Sequence, residues 1–402
     1  MLTRSGIFGR AGLALLPLNS RTAYFGNSIA AAMHSASGII YSNLIDGFGT
    51  WANANAQGTL LVPLDGYLGI SGNYTAEMLA RVGNVLAASP LGVVGGGGTN
   101  DLHLTTTISS AEILANLDAI HAACFAGGVR YYIQTTIPPL FAPNALSAGQ
   151  ETKRQEVNAG LLARASNRLK VVNLDTVGLV SSDMNADGYH PIAPGNKKIG
   201  AAVGAAIVGV TEGGSIFDAL SNGYSPNPAM TGTGGSLGST ASGTVRNGWT
   251  LSNANGAGVT AAGSTSDAGF QTVTVGGTAA TPSASIFLNS FQAVSDISAA
   301  DVIEGILEYE ASDLVNVRYI EFAVTIFNSG FASLLLVKAA AVAGTGTTGI
   351  GSSVALSVWR TPAGVVGAGT PAWLDISANI VFDQAAAVGG VVKFGRNLVR
   401  KI

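Results

Sequence analysis

The sequence predicts two dissimilar halves: a three-layer α/β domain of flavodoxin-like type on a parallel sheet, then an all-β domain of sandwich or jelly-roll type. Three observations predict it. Up to about residue 210, strand-like runs alternate with helix-like runs. Beyond residue 211, long helical periodicity is scarce and short strand-like runs are separated by turns. The histidines, His34, His103, His121 and His190, all fall in the first half, which places base chemistry there.

The first strand reads at 21–25 and stops at Gly26, and the Ala-rich stretch 29–36 is helix-compatible. Further strands are predicted at 91–94, 129–136 and 169–174, the second of these halted by Pro138-Pro139. Helices are predicted at 76–82, 110–126, 157–165 and 196–208. In 110–126, Ile113, Leu114, Leu117, Ile120 and Ala123 recur at helical spacing behind an acidic start at Glu112. Strands alternating with such helices imply a parallel sheet covered on both faces, with any active site at the carboxyl ends of its strands. In the second half, strands are predicted at 271–275, 319–327, 354–359, 376–382 and 391–394. The expected division is an N-terminal arm 1–19, an α/β domain 20–210, a linker 211–224 within a Gly/Ser/Thr/Asn/Pro-rich stretch, and a β domain 225–402.

Composition narrows the function classes. Charged residues make up 11% of the 402, against about 25% in an ordinary globular chain. Low charge and 54 glycines suit packed β-structure or a component of a larger assembly. A net charge of −3 leaves no broad basic field for nucleic acid or an anionic membrane. No apolar run reaches the length of about 18 residues that a membrane-spanning helix needs. Residues 11–18, behind Arg4 and Arg10, have some signal-peptide character. A cut after Ala23 would remove half of the first strand, so an ordered arm is the expected reading. The single cysteine, Cys124, excludes an intrachain disulfide and a multi-cysteine zinc site, and its apolar surroundings predict burial.

Four short segments carry potential chemistry. Phe25-Gly26-Asn27-Ser28-Ile29 places a serine between a strand and a helix, where its hydroxyl is presented at the sheet edge and its N–H can face a developing anion. Alone, such a serine is usually only a helix cap. Gly69-Ile70-Ser71-Gly72-Asn73 precedes a helix and offers a backbone N–H at Gly72. Gly95-Gly96-Gly97-Gly98-Thr99-Asn100-Asp101 follows a strand. It lacks both the Lys-Ser/Thr pair of a phosphate loop and the spaced glycines of a dinucleotide fold, but Asn100 can donate to an oxyanion. Asp187-Gly188-Tyr189-His190-Pro191 lets a carboxylate and an imidazole converge on one turn.

In this order, Ser, Gly, Asn and Asp-x-x-His, residues 20–210 resemble the SGNH hydrolases, also called GDSL-like esterases. Tyr67 to Gly72, Gly98 to Leu102, Thr135 to Pro139 and His190 to Gly195 share the likeness. The resemblance implies Ser28 as nucleophile, His190 as general base and Asp187 as its orienting acid. It also implies an oxyanion hole from Ser28 N–H, Gly72 N–H and the Asn100 amide, and no metal or cofactor. The departure is Asn27, where the family usually carries Asp. The second half is similar to β-sandwich attachment or sugar-binding modules. Such hydrolase-plus-sandwich chains resemble bacteriophage tail proteins. The implied substrate is an ester, with O-acetyl groups on a polysaccharide preferred. The implied setting is extracellular or virion-associated, in a homo-oligomer, a trimer within a phage tail being one form. The alternative is a structural or glycan-binding protein with a vestigial hydrolase domain.

Other residues have blander readings. His103 is expected on a surface loop or lining the cleft, His34 on a helix flank, and His121 inside a helix. Trp249, Trp359 and Trp373 are expected in the sandwich core rather than in a sugar-stacking platform. Glu304, Glu308, Glu310 and Asp313 are expected on a solvated strand face rather than around calcium.

Overall fold

The computed structural model describes residues 14–31, 47–105, 107–253, 258–281, 284–340, 352–382 and 387–402. His34 and most of the predicted 29–36 helix lie outside these.

The first half runs β1 (Ser20–Gly26), α1 (Ser28–Ala31), α2 (Phe48–Asn55), β2 (Leu60–Leu61), β3 (Tyr67–Gly69), α3 (Thr75–Ala80), α4 (Val82–Ala87), β4 (Gly92–Gly96), α5 (Thr99–His103), α6 (Ser110–Ala126), β5 (Tyr131–Thr135), α7 (Ala148–Ala163), β6 (Leu169–Val172) and α8 (Ala193–Val208). Its strands are parallel in the order β2-β1-β4-β5-β6, and β3 pairs with the carboxyl end of β1. Strand alternation sends successive side chains to opposite faces. Tyr24, Val94 and Ile133 therefore pack against α2 and α8, while Phe25, Val93 and Tyr132 pack against the α3, α4, α6 and α7 side. Each fully buried valine of the Val93-Val94 pair contributes on the order of 1.5–3 kcal/mol, so both faces of one strand hold the layers together.

Two helices differ from their predicted forms. The helix expected at 76–82 breaks at Arg81, which ends α3 and begins α4 with φ −111° and ψ 14°. The helix expected at 157–165 begins at Ala148, capped by Ser147 and Gln150 in a reciprocal pair. Its polar first turns mask the apolar periodicity that sequence reading relies on.

A short helix, α9 (Ile216–Ala219), leads to the second half. The strands there are β7 (Gly234–Leu237), β8 (Ala241–Gly243), β9 (Val245–Asn253), β10 (Val259–Ser264), β11 (Gln271–Gly277), β12 (Ser285–Ala293), β13 (Val302–Val315), β14 (Val317–Asn328), β15 (Ser333–Ala340), β16 (Val354–Arg360), β17 (Gly364–Val365), β18 (Pro371–Phe382) and β19 (Gly389–Lys401). They form two sheets, β16-β13-β19-β11-β10-β8 with β17 on β13, and β15-β14-β18-β12-β9-β7, which close on one core. The half is all-β as expected, but its sheets are mixed, because β7–β9 and β8–β10 pair in parallel.

Two sequence expectations for this half are corrected. Glu304 and Glu308 are buried rather than solvated. β13 is a central strand, and its outward face is roofed by arginines: Arg360 and Arg400 bind Glu304, and Arg396 binds Glu308. Trp249 and Trp359 are core residues, but Trp373 is half-buried in a stack with Phe291 and Phe331.

The halves share packing. Trp51 and Ala54 of α2 belong to the sandwich core, with Trp51 edge-on to Trp359 at 4.9 Å between centroids. Arg360 also donates to Gly58 O and Asn19 Oδ1, crossing between the halves. In the arm, Leu16 exchanges backbone hydrogen bonds with Val210 and Glu212 at the end of α8. Among the described residues no helix is long and apolar enough to cross a membrane.

Candidate active site

Ser28 opens α1 immediately beyond the carboxyl end of β1. Asn27 caps that turn, its Oδ1 accepting the Ile29 N–H at 3.1 Å. The cap leaves the Ser28 hydroxyl free to point elsewhere. It lies 2.8 Å from His190 Nε2.

His190 stands on the turn before α8. Gly188 makes the turn possible: its φ is +79°, and a Cβ there would collide with the Phe141 carbonyl. The turn is tied at both ends, by Asn185 N–H to His190 O and by Ile192 N–H to Asp183 O. Asp187 Oδ2 lies 2.7 Å from His190 Nδ1, while Oδ1 accepts the backbone N–H groups of Tyr189 and His190 at 3.0 Å each. Partial burial pushes the Asp187 carboxyl up, but those N–H groups and the imidazole outweigh it and hold the carboxyl below its usual range. With Nδ1–H donating to Asp187, Nε2 remains an acceptor for the Ser28 hydroxyl proton. An imidazole so oriented can take a proton and be stabilised once charged.

Gly72 and Asn100 come from two further segments, the turn after β3 and the helix after β4. Gly72, exposed on the turn between β3 and α3, has φ +80°. Open space surrounds the position a Cβ would take, so the backbone conformation rather than crowding calls for glycine. Asn100 is buried in α5, and one amide hydrogen goes to Asn73 O at 2.9 Å. That bond ties the Asn100 loop to the residue after Gly72. Next to it, Asp101 accepts the Thr75 N–H and hydroxyl, with 2.6 Å to the latter, while burial raises its carboxyl against those bonds. A small, mainly apolar recess lies beside Asn27, lined also by Ile29, Phe48, Gly97, Ile137 and Ile199.

The structure thus brings Ser28, His190 and Asp187 into one hydrogen-bonded chain and links the Gly72 and Asn100 loops through Asn73. His103 is half-buried, its ring 5.1 Å from Tyr189, whose own ring lies 4.1 Å from His190. His121 is buried on α6 with Nε2 against Gln134 Oε1, and burial lowers its pKa. Cys124 is buried, its thiol pushed up to about 12. Among the described residues no group of three or more His, Cys, Asp or Glu side chains is set to hold a metal ion. Asn73, Arg81 and Tyr189 join this region without a motif of their own. Tyr189 lies inside the Asp-x-x-His spacing and was visible, whereas Arg81 reaches this region only through the fold.

Residues 24–198 match the model of the GDSL-like Lipase/Acylhydrolase family. Among solved structures, the chain is similar to a GDSL-like lipase from Bacteroides thetaiotaomicron at 20% identity, covering 47% of this chain and 87% of that one with a TM-score of 0.36. It is similar to a lipase/acylhydrolase from Enterococcus faecalis at 22% identity, covering 47% and 96% with a TM-score of 0.38. It is also similar to a carbohydrate acetylesterase family member from Sinorhizobium meliloti at 15% identity, covering 47% and 99% with a TM-score of 0.39. No curated protein matches the sequence.

Proposed function

We propose, from the premise that residues 24–198 are a GDSL-like lipase/acylhydrolase domain, that the chain is a serine esterase acting through Ser28, His190 and Asp187. The observation that supports this most is the unbroken hydrogen-bonded chain from Ser28 Oγ through His190 to Asp187.

On this reading, His190 Nε2 takes the Ser28 proton as Oγ attacks the ester carbonyl carbon. The carbonyl π electrons move onto oxygen, where Ser28 N–H, Gly72 N–H and Asn100 Nδ2 donate to the oxyanion. Collapse expels the alcohol, protonated by His190, and leaves an acyl-serine. Water, deprotonated by His190, attacks that ester, and a second collapse returns Ser28 and releases the acid. Asp187 keeps the imidazole in the required tautomer throughout.

Carbohydrate O-acetyl esters are the proposed substrate class. This rests on the all-β half, whose attachment to the hydrolase half suggests a module that brings a polymeric substrate to the site. The test is a panel of p-nitrophenyl esters and acetylated polysaccharides, with Ser28→Ala as control and a fluorophosphonate probe for the serine. Ser28-dependent labelling and acetate release are expected. Full esterase activity in Ser28→Ala would sink the assignment. Turnover of p-nitrophenyl acetate without acetate release from any polysaccharide would sink only the carbohydrate part.

A further inference from the structure

Arg81 stands where α3 meets α4, distant in sequence from Ser28 and Asn100. Its guanidinium makes three hydrogen bonds, each 2.6 Å long. Nη2 donates to Gly26 O, Nη1 to Leu68 O, and Nε to Asn73 Oδ1. The group also lies over the Phe25 ring, 4.6 Å from its centroid. Gly26 is the last residue of β1, two before Ser28, and it pairs with Gly69 of β3 and Gly96 of β4. Leu68 lies on β3, four residues before Gly72. Asn73 follows Gly72, and its carbonyl accepts the Asn100 amide. One planar cation therefore touches the segments that carry Ser28 and Gly72, and it reaches Asn100 through Asn73, whose carbonyl accepts the Asn100 amide.

We infer that Arg81 is a positioning residue for the oxyanion hole: it fixes the relative placement of the Ser28 N–H, the Gly72 N–H and the Asn100 amide. This rests on the esterase reading above. The physical reason lies in the guanidinium's shape. Its donors radiate in one rigid plane, so three acceptors held by one Arg are held relative to each other, which a flexible ammonium cannot do. The half-buried site and the Phe25 face beneath it limit competition from water. Oxyanion donors act by being preorganised, so small displacements among them weaken transition-state binding more than substrate binding.

The test compares wild type with Arg81→Met, Arg81→Lys and Asn73→Ala on p-nitrophenyl acetate. Turnover is normalised to the fraction of Ser28 titrated by a fluorophosphonate. For Arg81→Met, kcat per titrated site is expected to fall at least tenfold, with KM changed less than threefold. Affinity for a trifluoromethyl ketone, which adds Ser28 to form a tetrahedral oxyanion, should fall in parallel with kcat/KM. Arg81→Lys should recover part of the loss. Asn73→Ala removes one acceptor without touching the cation, so it should show a smaller loss of the same kind even if Arg81→Met folds poorly. Reduced titratable sites with undiminished turnover per site would mean that Arg81 merely stabilises the fold, and would overturn the inference. A wild-type chain lacking Ser28-dependent hydrolysis would instead overturn the esterase reading and this inference with it.

Discussion

Replacing Asn100 by Ala tests the proposed oxyanion hole most directly. The Asn100 side chain has two amide hydrogens, and one is committed to Asn73 O at 2.9 Å. On the proposed reading, the other donates to the oxyanion. Removing the side chain deletes one of three proposed donors, which in comparable sites lowers kcat by about 10²–10³, or about 2.7–4 kcal/mol of barrier. It also cuts the tie between the α5 and Gly72 loops, at a stability cost of about 0.5–1.5 kcal/mol for one neutral hydrogen bond. The barrier change should therefore exceed the stability change, and KM should stay within a few-fold because ground-state binding does not use the donor. Steady-state kinetics on p-nitrophenyl acetate, normalised by fluorophosphonate titration, give the first quantity, and urea denaturation gives the second. A kcat within threefold of wild type, with intact Ser28 titration, would refute Asn100 as a donor. An equal fall in the titratable fraction and in activity would show that the residue acts through folding alone.

Three further predictions concern the Asp187–His190 hydrogen bond and the Arg360–Glu304 ion pair. Asp187→Asn removes the acceptor for His190 Nδ1–H and allows the tautomer that points a proton at Ser28, so kcat should fall by up to about 10⁴. The folded chain holds the Asp187 carboxyl below its usual range, so its stabilising contribution is present above about pH 4 and is lost as the pH falls through the folded value. Thermal melts from pH 7 to pH 3 should show a larger acid loss in wild type than in Asp187→Asn, and identical curves would refute this. Arg360→Ala should cost about 3 kcal/mol, the lower end for breaking a buried pair, because Arg400 still binds Glu304. Urea titration reads this, and a loss below about 1 kcal/mol would place the pair among those that contribute little net stability.

Much of the first half was legible because local rules and the tertiary result agree there. Strand runs ending in glycine, a helix at 110–126 with apolar spacing, and the switch to β pattern after residue 211 all depend on near neighbours in the chain. The α7 start was hidden because its first turns are polar and a cap, rather than an apolar stripe, defines it. The local pattern at 76–82 predicts one continuous helix because nothing near in the chain reveals the break at Arg81, whose guanidinium reaches Gly26 O and Leu68 O. The acidic run on β13 is not a solvated face: alternation fixes which side chains share a face but not what covers that face. Glu304 has its arginine partners 56 and 96 residues away.

By itself the sequence determined the residue types, their order along the chain and the short-range geometry within each segment. Ser28 at a strand-to-helix turn, Gly72 before a helix, and Asp187 and His190 three residues apart on one turn are all local facts. Only the tertiary structure decided that His190 Nε2 meets Ser28 Oγ across 162 residues of chain. It also decided that one arginine joins the end of β1, strand β3 and the turn at Asn73, and that Trp51 belongs to the core of the other half. Hydrogen bonds and apolar contacts between distant segments depend on where whole layers pack. That is set by the sum of many burials across the sheet faces, and no single window of sequence contains that sum.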